Sequence, residues 1–220
     1  MAEDREDYDQ RIVLERAEYD RKYREIKSGI RTIDGWRRNQ TSAFEKVVSA
    51  VLREWLYQKG FSDIEEIPPE MRKLPTTNST PTSAEWGGVF SCRDNSDNEK
   101  WHLFLVEAKT NISLSGIKDK NAAVEITRDF IAKAFSGEIH GDKTNKPKVI
   151  QVAGCWAAYH GMEIHVVFGA HAFDTAMIQE IEKLGYTRIC LNTDMYHVIG
   201  QDGSRIDLTY EDIEHDIELS

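Results

Sequence analysis

The sequence predicts a mixed α/β protein, a β-sheet covered by helices, and three observations predict it. An apolar stripe at helical spacing runs through residues 44–55, and two strand-like segments, 84–92 and 101–106, flank a turn rich in Asn and Asp. Helical and strand patterns then alternate as far as residue 191. Apolar strands interleaved with amphipathic helices are the arrangement that buries both faces of a sheet.

A chain of 220 residues buries a sizeable core, and 40% hydrophobic with 30% charged residues is the balance of a folding globular protein. No apolar run approaches the length of a membrane span, and the N-terminus lacks the basic and hydrophobic regions of a signal peptide. A cytoplasmic protein without a membrane partner is expected. Cys92, Cys155 and Cys190 lie far apart with no Cys-x-x-Cys, which suits thiols in a reducing compartment and argues against zinc ligation by cysteine.

Residues 1–40 form a helical N-terminal extension. Its first 38 residues hold ten acids and ten bases, and Ile12, Tyr19, Tyr23, Ile26, Ile30 and Ile33 recur roughly at helical spacing. Packing on the core, a homodimer or contact with a protein partner would each use such a helix. Residues 41–200 are the main domain. Its first helix starts at Ser42, carries Phe44, Val47, Val48, Val51, Leu52 and Trp55 on one stripe, and stops at Lys59-Gly60. Ser42-x-x-Glu45 also reads as a capping box, in which Glu45 bonds back to the backbone and needs no other role.

A short strand at 64–67 precedes a loop rich in Pro, Thr and Ser at 68–83. The next strand, 84–92, contains Gly87-Gly88, and residues 93–100 turn the chain into the strand at 101–106. Residues 118–135 read as an amphipathic helix with Lys120, Arg128 and Lys133 on its outer side. Residues 149–159 fit either a strand or a helix of small residues. The clearer strand at 164–168 favours the helix. An amphipathic helix at 174–184 and a buried strand at 187–191 follow. Residues 201–220 are an acidic C-terminal segment, with seven acids against Arg205 and a final helix at 210–219.

The chemistry concentrates at the end of the third strand. Leu103, Phe104, Leu105 and Val106 lead into Glu107-Ala108-Lys109. Residues i and i+2 of a strand share a face, so a carboxylate and an ammonium reach one spot. A carboxylate suits a hard cation, and an ammonium beside it orients a water or holds a phosphate oxygen. Taken alone, Glu-x-Lys is a cheap pattern, repeated at Glu25-Ile26-Lys27 in the charged helix.

The order of elements, with Glu45 in the first core helix and Glu107-Ala108-Lys109 closing the third strand, resembles the PD-(D/E)XK nuclease superfamily and its restriction-endonuclease-like fold. Phe44-Glu45-x-x-Val48 followed by Gly60-Phe61 is similar to the first helix of many members. The resemblance covers residues 41–191 and implies Mg2+- or Mn2+-dependent hydrolysis of phosphodiester bonds, with DNA as substrate in a restriction, defence or repair setting. It implies Glu107 as metal ligand with the Ala108 carbonyl, Lys109 orienting the attacking water, and Glu45 binding metal directly or through water. The family's second-strand aspartate is missing, because Gly87 aligns there. Glu85, two residues earlier, either replaces that acid from a displaced position or is the family acid itself.

An alternative is a catalytically inactive module that keeps the fold for binding or assembly. Lys118, Lys120, Arg128 and Lys133 are candidates for phosphate contacts, or else a solvated helix face. The net charge of -10 disfavours a polyanion partner. However, residues 107–150 hold eight bases against six acids, so the acidity lies elsewhere. An acidic tail folded over the basic helix would be autoinhibitory. Trp86, Trp101 and Trp156 read as core residues before base-stacking ones. The seven histidines have no zinc-helix spacing and read as surface or core residues.

Overall fold

Seven strands form one mixed sheet, and two further strands pair antiparallel as a sheet of their own. The computed structural model describes residues 33–72, 86–94, 97–110, 112–136, 149–152, 155–158, 162–192 and 195–218. In chain order the elements are α1 (Ile33–Gln58), β1 (Phe61–Glu66), β2 (Gly88–Asp94), β3 (Asp97–Ala108), α2 (Leu114–Ser136), β4 (Val149–Val152), β5 (Cys155–Ala158) and β6 (Met162–Ala170). They continue with α3 (Thr175–Lys183), β7 (Thr187–Leu191), β8 (Tyr196–Ile199), β9 (Arg205–Leu208) and α4 (Tyr210–Glu218).

β1, β2 and β3 are an antiparallel meander. A crossover through α2 then brings β6 parallel to β3, and a second through α3 brings β7 parallel to β6. β8 and β9 return the sheet to antiparallel pairing. β3 is therefore the place where pairing changes from antiparallel to parallel. The carboxyl ends of parallel strands at such a change of connection are where open α/β sheets hold ligands.

β3 is buried on both faces because its alternating side chains serve two cores. Leu103 and Leu105 pack with Ile117, Val124 and Ile131 of α2 and Met177 and Ile181 of α3. Phe104 and Val106 pack with Val48, Val51, Leu52 and Trp55 of α1 and Ile213 of α4. The apolar run of β3 thus reflects helices on both sides of the sheet. β6 repeats the division, with Val166 and Phe168 on the α2 face and Val167 on the α1 face.

Several expectations need correction. α1 does not begin at Ser42 but runs without interruption from Ile33. Ser42 is interior to the helix, so the capping-box role for Glu45 falls away. The helix does stop as expected, with Gly60 at φ 86° and its N–H on the Tyr57 carbonyl. Residues 149–159 contain the β4–β5 hairpin and not a helix. Their small residues match a helix as well as a strand, and cross-strand pairing settles it. β8 and β9 were not anticipated. Leu208 and Ile213 are buried on the α1 face, and Arg53 of α1 reaches Asp216 at 3.8 Å. The acidic segment accordingly lies across the sheet from α2, which removes the autoinhibitory arrangement. Of the charged helical extension expected over residues 1–40, residues 1–32 lie outside the described residues. No helix among the described residues is long and apolar enough to cross a membrane.

Candidate active site

Glu107 is the penultimate residue of β3 and continues the Leu103 and Leu105 face, so its carboxylate points toward α2. It is 6% exposed, which makes it a buried acid that requires partners. It has two. Lys109 Nζ lies 2.5 Å from Oε1, and Lys120 Nζ lies 2.7 Å from Oε2. The i, i+2 geometry of the strand end produces the first pair, since Lys109 follows Glu107 on the same side.

Lys120 supplies the second pair from α2. It sits one helical turn after Ile117 and one before Val124, on the inward stripe and not on the outer side expected for it. Its ammonium also lies 4.5 Å from the centre of the Trp86 ring, a cation–π contact with an indole that is 3% exposed. Trp86 is thus a core residue that walls the site. Two ammoniums thus hold the buried carboxylate in one orientation through charge-assisted contacts.

Glu45 enters from the other side of the sheet. A Cβ placed on Gly87 would lie 3.3 Å from Glu45 Oε1 and 3.5 Å from the Val106 carbonyl oxygen. The Glu45 carboxylate therefore stands in tight contact with the point where a side chain at position 87 would begin. Gly88 pairs with Val106, so Gly87 comes level with Glu107 one step further along the ladder. Arg72 anchors this corner, donating from Nη1 to the Gly87 carbonyl at 2.9 Å and from Nε to the Ile67 carbonyl at 2.7 Å. Glu85 lies outside the described residues. Ala108 is buried and pairs with Gly169 of β6.

The remaining basic candidates do not gather at Glu107. Lys118 is exposed. Arg128 Nη1 pairs with Glu125 at 2.7 Å and Nη2 donates to the Ile164 carbonyl at 3.2 Å. Lys133 pairs with Asp129 at 2.6 Å. Trp101 is half-buried, with the Arg93 guanidinium 4.3 Å above its ring, and the side chain of Trp156 lies outside the described residues.

A second polar cluster lies at the opposite end of β3 and on the opposite face. His102 and Glu163 are partners in the β3–β6 ladder, and His165 follows Glu163 by two residues. Their ligand atoms lie within 4.8 Å of one another. His102 and His165 are both buried. Burial pushes His165 down to about 4, against the opposing pull of Glu163. Glu163 is held below the usual carboxylate range, chiefly by its hydrogen bond from Lys100. Nothing in the linear sequence marks this group except a Glu-x-His alternation within a strand, because His102 stands 63 residues from His165.

No family model, curated protein or solved structure matches the chain.

Proposed function

We propose that the chain is a metal-dependent nuclease of the PD-(D/E)XK type, hydrolysing phosphodiester bonds in DNA. The observation that carries this reading is the carboxyl end of β3, where Glu107 is held by Lys109 and Lys120 and Glu45 reaches Gly87 on the neighbouring strand, β3 having an antiparallel partner on one side and a parallel one on the other. The helix, three-stranded meander, helix and parallel strand in that order support the restriction-endonuclease-like fold. A cytoplasmic setting accords with this reading.

The donor set is chemically suited to Mg2+ or Mn2+, since Glu107, Glu45 and the Ala108 carbonyl offer only hard oxygens. Such an ion supplies charge neutralisation at the phosphate and a more acidic water when bound. Glu85 adds a further carboxylate in this reading. The protein's own groups have distinct tasks. Lys109, with its side chain 58% exposed, is free to turn from Glu107 to a water or a phosphate oxygen. Lys120, only 15% exposed and packed on Trp86, holds the Glu107 carboxylate in place. Glu45 takes the space that the missing second-strand aspartate would enter. Lys118, at the exposed start of α2, remains the best placed of the outer bases to meet the DNA backbone.

A second reading rests on Gly87, which stands where the family has an acid, and on the two ammoniums that already neutralise Glu107. It describes a module that binds nucleic acid without cutting it. Plasmid DNA, single-stranded DNA and RNA incubated with the protein in Mg2+, Mn2+ or EDTA separate the two. The nuclease reading expects metal-dependent cutting that falls roughly 100-fold or more in Lys109→Ala, the scale of a lost acid–base or electrostatic group. Folded protein that retards DNA but never cuts it would replace the first reading with the second.

A further inference from the structure

We infer that His102, Glu163 and His165 form a binding site for a divalent transition metal of the Zn2+ class, separate from the site at Glu107. Imidazole with one carboxylate is a donor set preferred by zinc and its neighbours in the first transition row, whereas Mg2+ prefers oxygen alone. Two buried rings and one half-exposed carboxylate converge here, and their arrangement fits a single ion.

His102 Nδ1 and His165 Nε2 face each other at 3.0 Å. Two nitrogens at that spacing, each about 2.1 Å from one ion, subtend about 90° at the metal, and opening to a tetrahedral angle needs a separation of about 3.4 Å. The rings thus need to part by only a few tenths of an ångström. Glu163 Oε1 lies 4.0 Å from His165 Nε2, and Oε2 lies 3.9 Å from His102 Nδ1. The Glu163 side chain is 43% exposed and can close that remaining gap by rotation. Lys100 Nζ holds Oε2 at 2.6 Å, which leaves Oε1 as the ligand atom.

The rings are held in place by their surroundings. His165 stacks on Phe104 at 4.4 Å between ring centres and 13° between planes, and Phe61 meets His102 edge-on at 5.1 Å. Gln201, in the turn between β8 and β9, lies 2.9 Å from His165 Nδ1. Its amide can present either nitrogen or oxygen there. With the metal on Nε2, His165 carries its proton on Nδ1 and donates it to the Gln201 oxygen, an outer hydrogen bond of the kind that histidine ligands commonly make. In the matching metal-free arrangement the glutamine amide nitrogen donates to Nδ1, and His165 Nε2 can then donate to His102 Nδ1. A single amide flip therefore accompanies loading. The ion would join β3, β6 and the β8–β9 turn, and three protein ligands leave its solvent side open.

The test uses the full chain, stripped with chelator and titrated calorimetrically with Zn2+ in excess Mg2+, which occupies oxygen-only sites. The expected result is one tightly bound equivalent, weakened at least 10-fold in Glu163→Gln and about 10–100-fold in Gln201→Ala, and unchanged in Glu107→Gln. Nitrogen NMR of the histidine rings in the unsubstituted protein gives an answer that does not depend on a variant folding. His165 Nε2 and His102 Nδ1 must both shift on loading. No binding, binding equally strong in Glu163→Gln, or shifts confined to other histidines would overturn the inference.

Discussion

Gly169→Ala tests how closely α1 is seated on the sheet, and hence how Glu45 is positioned. Gly169 is in β6, paired with Ala108, and its carbonyl accepts the Lys109 N–H at 3.0 Å. A Cβ there would lie 2.7 Å from both Cγ1 and Cγ2 of Val48 on α1. Carbon atoms in good contact sit about 3.5–4.0 Å apart, so the overlap approaches 1 Å at two atoms together. Val48 is fully buried, and a β-branched side chain in a helix has one strongly preferred rotamer, so it cannot turn away. Either α1 lifts or β6 gives way, at about 1–3 kcal/mol. Val48→Ala removes the two obstructing methyls and by itself costs about 2 kcal/mol through the cavity left behind. In the double variant the new methyl enters that space. It should be no less stable than Val48→Ala alone, although simple addition would make it distinctly worse. Denaturant unfolding of the four proteins, with slopes compared to confirm a common mechanism, measures the coupling. Additivity within about 0.5 kcal/mol would refute the close packing of Gly169 on Val48.

Two further outcomes follow from local geometry. Asp174 caps α3 by accepting the Met177 N–H at 2.8 Å, so Asp174→Ala should cost about 1 kcal/mol in thermal or denaturant unfolding, with most of it retained in Asp174→Asn. In metal-free protein, burial holds His165 at about 4 against an ordinary 6.5. Between those values the unfolded chain carries the proton and the folded chain does not, so stability must fall as pH drops from 6.5 toward 4 and then level off. The gap corresponds to roughly 3 kcal/mol, and His165→Phe should remove most of that slope from the pH dependence of unfolding.

Short-range periodicity encodes the local features of the fold. The stripe of α1 and its stop at Gly60, the β2–β3 hairpin, the doubly buried run of β3 and the shared face of Glu107 and Lys109 all follow from spacings of two to four residues. The same rule failed where local patterns fit two states. Residues 149–159 carry small side chains that suit a helix or a hairpin, and Ser42-x-x-Glu45 is a capping box only if a helix starts there.

Tertiary structure decided everything that depends on register between distant segments. Lys120 turns inward because α2 lays its Ile117 and Val124 stripe on β3, which aims the ammonium at Glu107. Glu45 meets Gly87 because α1 packs across the far face of the sheet. His102 meets Glu163 and His165 because β6 pairs in parallel with β3 in one particular register. Sliding that pairing by one residue would turn every side chain of β6 to the other face and separate the cluster. Such a register is set by the summed burial of two cores. No short run of residues carries it, and so neither polar cluster was complete until the sheet was assembled.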